Sequence, residues 1–324
     1  AGLNGGNAIP ETSGEFDVTE FYVETNVPVF DGFNVKAAIR ASDYSTVGST
    51  TSWNVGFDYA VNDQLRFRVI QAQSTRAPNI DELFQPDSQT FPSGLIDPCV
   101  SNTSARCLAD PGVAANVAAN GTFTLTQSDI QGISGFDRGN PNLKEEVGKS
   151  TTVGVVYTPD NIAVLEDFSF TLDYFDIEIE DAIVPTPRQF ILDQCYGGGD
   201  ESFCDFVTRR SDAIGLNSAG SIEFIDSGAS NSGGATLEGV DLTATYGADL
   251  LGGHINARLA YTYLIDGETV PLPGADVDPF VGEIGTSEHK AFFNLGYRYD
   301  DFNIVTRLTY IGAADFDDQF LSSF

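Results

Sequence analysis

No apolar run in these 324 residues approaches the roughly 20 that a membrane-crossing helix requires, which excludes a helical membrane protein. Basic residues are also scarce. Only 16 Lys and Arg stand against 47 Asp and Glu, a formal charge of −31, so the chain is a poor partner for nucleic-acid phosphates. The two histidines, His254 and His289, lie far in sequence from the four cysteines and no CxxC spacing occurs, so no metal site is expected. Nucleophile elbow, HExxH pair and phosphate loop are all missing, and Gly197-Gly198-Gly199 has no Lys and Ser or Thr after it. No catalytic residue and no cofactor are expected.

What the chain does have is alternation. Trp53, Val55, Phe57 and Tyr59 take one face of a strand while Asn54, Gly56 and Asp58 take the other. Leu65, Phe67 and Val69 oppose Arg66 and Arg68; Ile255, Ala257, Leu259, Tyr261 and Tyr263 oppose Asn256, Arg258 and Thr262. Likewise Ala291, Phe293, Leu295, Tyr297 and Tyr299 oppose Lys290, Asn294 and Arg298. A barrel strand in a bilayer puts apolar groups toward lipid and may put charges toward a wet lumen, which is this pattern. Strands are expected at 16–28, 33–44, 51–61, 63–74, 149–158, 167–178, 235–247, 254–265, 287–299 and 302–312. Each reaches the roughly 9–11 tilted residues that cross a hydrocarbon core.

The connections are lopsided. Short turns at Phe30-Asp31-Gly32, Val61-Asn62-Asp63, 158–167, 249–253 and Asp300-Asp301 share one side, and the long segments 75–148, 179–234 and 266–286 share the other. Bacterial outer-membrane barrels turn tightly at the periplasm and loop widely outside, so the long segments are expected to be extracellular. Aromatic residues should then gather at both interfaces. Tyr59, Tyr157, Tyr246, Tyr299, Phe168 and Phe302 fall at the turn side, and Trp53, Tyr263 and Tyr310 toward the loop side.

Acidic residues concentrate in the loops: Asp266, Glu268, Asp276, Asp278, Glu283 and Glu288 precede Lys290 without an intervening cation. They read as a solvated acidic surface, the alternative being a negative vestibule for cationic or metal-bearing ligands. Asp315-Phe316-Asp317-Asp318 offers hard oxygen ligands for Ca²⁺ but lacks a spaced loop motif. The cysteines form two local pairs in separate long loops, so Cys99–Cys107 and Cys195–Cys204 are the expected bridges, in an oxidising compartment.

Two motifs bracket the first long loop. Arg76-Ala77-Pro78-Asn79-Ile80-Asp81-Glu82-Leu83-Phe84 follows a strand, and Gly139-Asn140-Pro141-Asn142-Leu143-Lys144-Glu145-Glu146 precedes the next. Pro78 must end a paired strand because it has no N–H to give, and Asn140-Pro141-Asn142 is turn chemistry. Together they resemble the barrel signatures of TonB-dependent outer-membrane receptors. Asp17-Val18-Thr19-Glu20, Asp173-Tyr174-Phe175-Asp176-Ile177 and Glu238-Gly239-Val240-Asp241-Leu242 match further along in the expected order. The Asp97-Pro98-Cys99 and Gln194-Cys195 segments resemble one branch of that family.

The resemblance covers nearly the whole chain and implies an all-β transmembrane antiparallel barrel of about 22 strands filled by a plug. The implied partners are outer-membrane lipid, the receptor's own plug domain, a TonB complex, and a scarce siderophore, cobalamin or oligosaccharide ligand. With no initiating Met, signal peptide, plug or TonB box, and about ten strands, the chain is expected to be a fragment of such a barrel whose last strands are also missing. Phe320-Leu321-Ser322-Ser323-Phe324 alternates poorly and is read as a stop within a loop. Arg76 and Glu82 are read either as braces for the loop or plug or as a pair with each other. Loop aromatics Phe91, Tyr196, Phe203, Phe206 and Phe224 are the candidate ligand contacts, against the alternative that they pack the loops. A passive porin-like channel and a secreted all-β adhesin or carbohydrate-binding sandwich are the rival readings.

Overall fold

The computed structural model describes residues 10–101, 103–159, 167–199, 201–270, 272 and 277–317. Most of the expected 158–167 turn, with Asp276, Asp318 and the 320–324 segment, lies outside the described residues. The chain folds as two compact units. One comprises residues 17–77, 145–182 and 232–324, and the other 1–16, 78–144 and 183–231.

The first unit is a wall of antiparallel strands, and the alternation anticipates it closely. In chain order they are β1 (Val18–Phe30), β2 (Phe33–Tyr44), β3 (Gly48–Ala60), β4 (Leu65–Arg76) and β5 (Glu146–Tyr157). There follow β6 (Ser169–Pro185), β7 (Ser227–Leu250), β8 (Gly253–Val270), β9 (His289–Tyr299) and β10 (Phe302–Ile311). Each neighbours the next in sequence, from β1 to β10, without crossovers. Among the described residues β1 is bonded only to β2 and β10 only to β9.

The tight turns have legible chemistry. Asn62 Oδ1 accepts the N–H groups of Gln64 and Leu65, both at 2.9 Å, closing the β3–β4 turn. Gly32 takes φ +80° between β1 and β2, a conformation glycine adopts without a Cβ clash. Asp300 (φ 48°) turns β9 into β10 in the left-handed region that Asp tolerates better than most residues.

On the loop side the strands run further than expected: β6 ends at Pro185, β7 begins at Ser227, and β8 continues to Val270 and pairs with Asp278–Pro279. The β7 extension, residues 227–234, lies in Ser- and Gly-rich sequence without apolar alternation, and those of β6 and β8, residues 179–185 and 266–270, carry acids among their apolar residues. The loops also hold short helices that alternation does not report, among them Ile80–Phe84, Pro111–Asn120 and Arg188–Tyr196.

Register sorts the two faces. Ala244, Leu259, Phe293 and Leu308 lie side by side across β7 to β10, as do Phe57, Val69, Val153 and Tyr174 across β3 to β6. On interior strands of the wall Phe57 is 44% exposed and Val153 45%, and water-soluble folds rarely leave an apolar face of that extent open, so this face belongs to lipid. Aromatic rings cluster at its turn-side margin, where Phe30 stacks on Phe33 at 4.8 Å and Tyr59 meets both edge-on. The opposite rows are polar. Arg68 grips Asp173 at 2.6 Å, and Gly154 stands between their strands because a Cβ there would lie 1.9 Å from the Asp173 carboxylate. A thiol introduced by Arg258→Cys is therefore expected to react with a small water-soluble reagent in the intact barrel, and one introduced by Leu259→Cys to stay unreacted. Equal labelling would contradict the register.

Candidate functional site

The second unit is built from the two longest connecting segments. Its base is a clasp between the motifs that bracket the first loop. Asn79 caps helix Ile80–Phe84: its side chain accepts the Glu82 N–H at 2.8 Å, and Glu82 reaches back to the Asn79 N–H at 2.7 Å. The returning motif then bonds that helix, Gly139 N–H to the Gln85 carbonyl and Asn140 N–H to the Glu82 carbonyl, both at 2.8 Å. Leu83 and Leu143 are buried, and the Asn140 side chain ties the clasp to the second loop through the Ala229 carbonyl at 3.0 Å. Arg76 faces Glu146 across the β4–β5 pair with a 2.8 Å bond. The motif residues are thus structural in this arrangement, closing the loop onto itself.

Both expected disulfides form, Cys99–Cys107 and Cys195–Cys204. Cys99, Cys107 and Cys195 are fully buried, two of them in a cluster with Val113 and Phe123. A second cluster gathers Ile133, Ile191, Leu192, Ile222 and Ile225. Each bridge closes a short loop, for which chain-entropy arguments give about 2.5 kcal/mol. Peptide mapping under non-reducing conditions should recover the two local links; a Cys99–Cys195 linked peptide would contradict the arrangement.

Between the clusters sits an ion pair that spacing did not reveal. Arg209 and Asp97 are 0% and 4% exposed at their side chains, joined by bonds of 2.6 and 2.8 Å. Arg209 also donates to the Tyr196 hydroxyl at 2.8 Å and the Gly220 carbonyl at 2.7 Å, and its guanidinium lies 4.3 Å from the Tyr196 ring centroid. Burial alone would lower the Arg209 pKa, but the Asp97 bonds outweigh it and the pKa is raised. Burial lifts the Tyr196 hydroxyl above its ordinary value although Arg209 opposes the shift.

Asp129 is a second buried anchor. It accepts the Thr126 and Ser218 N–H groups, both at 2.7 Å, and their hydroxyls at 2.9 and 2.8 Å. Burial pushes its pKa up, and these four donors together hold it below the usual carboxylate value. A depressed carboxylate stabilises the fold above its unfolded pKa and ceases to as pH falls through the lower folded one. Amide protection around Thr126 and Ser218 is therefore expected to fall only below about pH 4, read by hydrogen exchange. A loss already at neutral pH would refute this.

The five candidate ligand aromatics divide. Tyr196 is spent on Arg209 and both clusters, Phe203 packs on the Ile191 cluster and meets Phe190 edge-on, and Phe224 stacks on Phe136 at 6.2 Å. Phe91, at 61% exposure, and Phe206, at 38%, remain open to solvent. An apolar cavity of about 270 Å³ lies within the same unit, lined by Leu95, Ile96, Val100, Leu125, Ile130 and Ile133 with the Asp97 and Asp129 carboxylates at its wall. Among the described residues no three His, Cys, Asp or Glu side chains converge as metal ligands. Sequence reading missed Arg209 and Asp129, and also Arg188, which bonds the Ile225 carbonyl at 2.9 Å and Asp137 at 2.6 Å. The one available signal was the presence of isolated arginines inside loops of so acidic a chain.

A meander of lipid-facing antiparallel strands, tight turns on one side and long folded segments on the other, defines an outer-membrane β-barrel wall. The family model described as TonB dependent receptor-like, beta-barrel matches residues 2–324, and the chain belongs to that family. No curated protein matches it. Among solved structures it is similar to a mutant ferric enterobactin receptor from Pseudomonas aeruginosa in complex with enterobactin, at 15% identity and TM-score 0.56, covering 92% of this chain and 33% of that one. It is similar also to the siderophore receptor PirA from Acinetobacter baumannii, at 15% identity and TM-score 0.55, covering 93% of this chain and 34% of that one. At such identity the likeness is one of fold. The chain spans about a third of the length of the structures it matches.

Proposed function

We propose that this chain is the barrel part of a TonB-dependent importer, which captures a scarce ligand outside the cell and passes it through a plugged lumen. The long segments 75–148, 179–234 and 266–286 face the exterior in this reading, since bacterial barrels loop widely on that side. The observation that carries it is the unit formed by 78–144 and 183–231. Two disulfides, a buried ion pair and two apolar clusters give these connecting segments a fixed shape, as ligand capture by a preorganised surface requires. A passive pore has no need of such a unit.

The ligand is a siderophore in the first instance, with cobalamin and oligosaccharides as the other classes. Support for the order comes from the matched structures, which are siderophore receptors by description. Within the unit, Phe91 and Phe206 are the aromatic contacts, while Tyr196, Phe203 and Phe224 pack the unit itself. The remaining partners are the receptor's own plug and the TonB complex.

The full-length receptor in detergent, titrated with iron(III) tris-catecholate, cobalamin and a maltooligosaccharide, should bind one class, and Phe91→Ala with Phe206→Ala should weaken it about tenfold. Binding of none of the three, or unchanged affinity in the variants, would count against this reading.

A further inference from the structure

The lipid face is not equally deep on every strand. Counted from the turn side, β8 presents apolar groups to lipid from Ile255 to Tyr263 and β9 from Tyr299 to Ala291, five side chains each. β4 presents them only from Leu65 to Val69 and β5 only from Tyr157 to Val153, three each. At about 3.4 Å per residue and a tilt of about 40°, five side chains cover about 20 Å of depth and three about 10 Å, against the roughly 25 Å band of a barrel. Each count starts at its own strand's turn end, so the slant that tilt gives to the rows does not produce the difference.

The next residues on that same face are polar. Gln71 and Thr151 pair across β4 and β5 with Asp176 beside them on β6, and one row further lie Gln73, Lys149 and Glu178. On β6 the two faces exchange character beyond Tyr174: Asp176, Glu178 and Glu180 look outward while Phe175, Ile177 and Ile179 look inward. Val55 and Trp53 of β3, directly opposite Gln71 and Gln73, still carry apolar groups to lipid. A polar notch is therefore cut into the outward face of the wall on strands that have neighbours on both sides, so no further part of the barrel covers it.

Two arrangements bring lipid against the notch. Hydrocarbon at full depth would bury Lys149 and the acids, and charges on the lipid face cost more the deeper they sit. A leaflet that thins to meet a short apolar stretch is strained by only a small amount per ångström. Thinning is the cheaper. A protein cover fits less well, because Lys149 already bonds Glu180 at 2.6 Å and lies 3.9 Å from Glu178, and the cores of protein interfaces are depleted of charge. A second copy of the chain would bring the same excess of acids, Asp176, Glu178 and Glu180 against Lys149.

We infer that the wall thins the bilayer locally: over β4 to β6 the headgroup layer of the loop-side leaflet, with its water, dips to the row of Gln71, Thr151 and Asp176, while over β8 and β9 the hydrocarbon keeps its full depth. The notch is an interaction surface for lipid headgroups on the outside of the barrel. It rests on the wall alone and not on the importer reading.

Spin-label depth tests the notch. The four cysteines of the chain are bridged, so none of them competes with an introduced thiol. In the full-length receptor, reconstituted into vesicles of 18-carbon phosphatidylcholine, nitroxides are attached to the thiols of Thr151→Cys and Phe293→Cys, each six residues from a turn-side tyrosine, Tyr157 and Tyr299. Collisions with a water-soluble nickel chelate, which hydrocarbon excludes, are compared with collisions with oxygen, which hydrocarbon concentrates. The nickel-to-oxygen ratio should be about tenfold higher at 151 than at 293. Gln71→Cys against Tyr261→Cys, six residues from Leu65 and Ile255, should repeat the contrast, and it decides the matter if the Thr151 variant does not assemble. Equal ratios within the pairs would overturn the proposal, whether both sites favour oxygen or both favour nickel. Protection of the 151 and 71 labels from both reagents would overturn it too, and would mark the notch as covered by protein.

Discussion

Arg209→Met is expected to open the loop unit while leaving the strand wall folded. The substitution removes one member of a fully buried pair, so Asp97 stays in the interior as an uncompensated carboxylate, and losses of about 3–5 kcal/mol are typical of such a change. It also deprives the Tyr196 hydroxyl and the Gly220 carbonyl of their donor. Because the two apolar clusters and both disulfides remain, the unit should loosen rather than detach. Limited proteolysis of the full receptor should cut within 78–144 and 183–231 at a rate raised on the order of a hundredfold or more. On gels the unheated variant receptor should still migrate as a folded barrel, as the unheated parent should. The double change Asp97→Leu with Arg209→Met, which removes both charges, should restore most of the resistance, as apolar replacement of buried pairs often does. Full resistance in the single variant would mean that the pair does not hold the unit together.

Gly139→Val is the second large effect. A Cβ at Gly139 would sit 2.6 Å from the Gln85 nitrogen and the Leu83 carbonyl carbon, which are backbone atoms that cannot swing aside. The motif pair must then separate, losing the two 2.8 Å bonds from Gly139 and Asn140 at a combined cost of several kcal/mol by the usual magnitudes for overpacking and hydrogen bonds, about 1–3 and about 1 each. Amides of Gln85, Gly139 and Asn140 should exchange freely in the variant. Arg76→Gln, which breaks only a half-exposed ion pair, should change them little, by about 0–1 kcal/mol. Comparable effects from both would place the function of the bracketing motifs in charge rather than in the backbone clasp.

The wall was legible in the sequence because a lipid-facing strand must alternate, and the ten expected strands coincide with β1 to β10 over most of their lengths. What alternation missed follows from its cause. Beyond the bilayer both faces meet water, so the outer reaches of β7 and β8 carry Ser, Thr, Gly and acids with no period to read, and in β6 the adjacent acids Glu180 and Asp181 break the alternation. Helices Ile80–Phe84 and Gln127–Gln131 are five residues each, too short for a helical stripe, though Asn79 to Glu82 and Thr126 to Asp129 have capping-box spacing.

The disulfides were legible because each closes locally. Asp97 and Arg209 stand 112 residues apart, and one sequence holds no sign that they meet. The candidate aromatics could be named as rings in loops but not divided. Whether a phenylalanine packs inward or faces solvent depends on the cluster around Ile191 and Ile225, whose members come from both long segments.

The importer account rests most directly on energised uptake. Cells carrying the full-length receptor, supplied with radiolabelled iron as its tris-catecholate chelate, should accumulate label only while TonB is present and the inner membrane is energised. Accumulation should stop on deletion of TonB or collapse of the proton gradient, with surface binding unchanged. Uptake that continues at the same rate without TonB, rising linearly with concentration, would contradict the account and mark the protein as a passive channel.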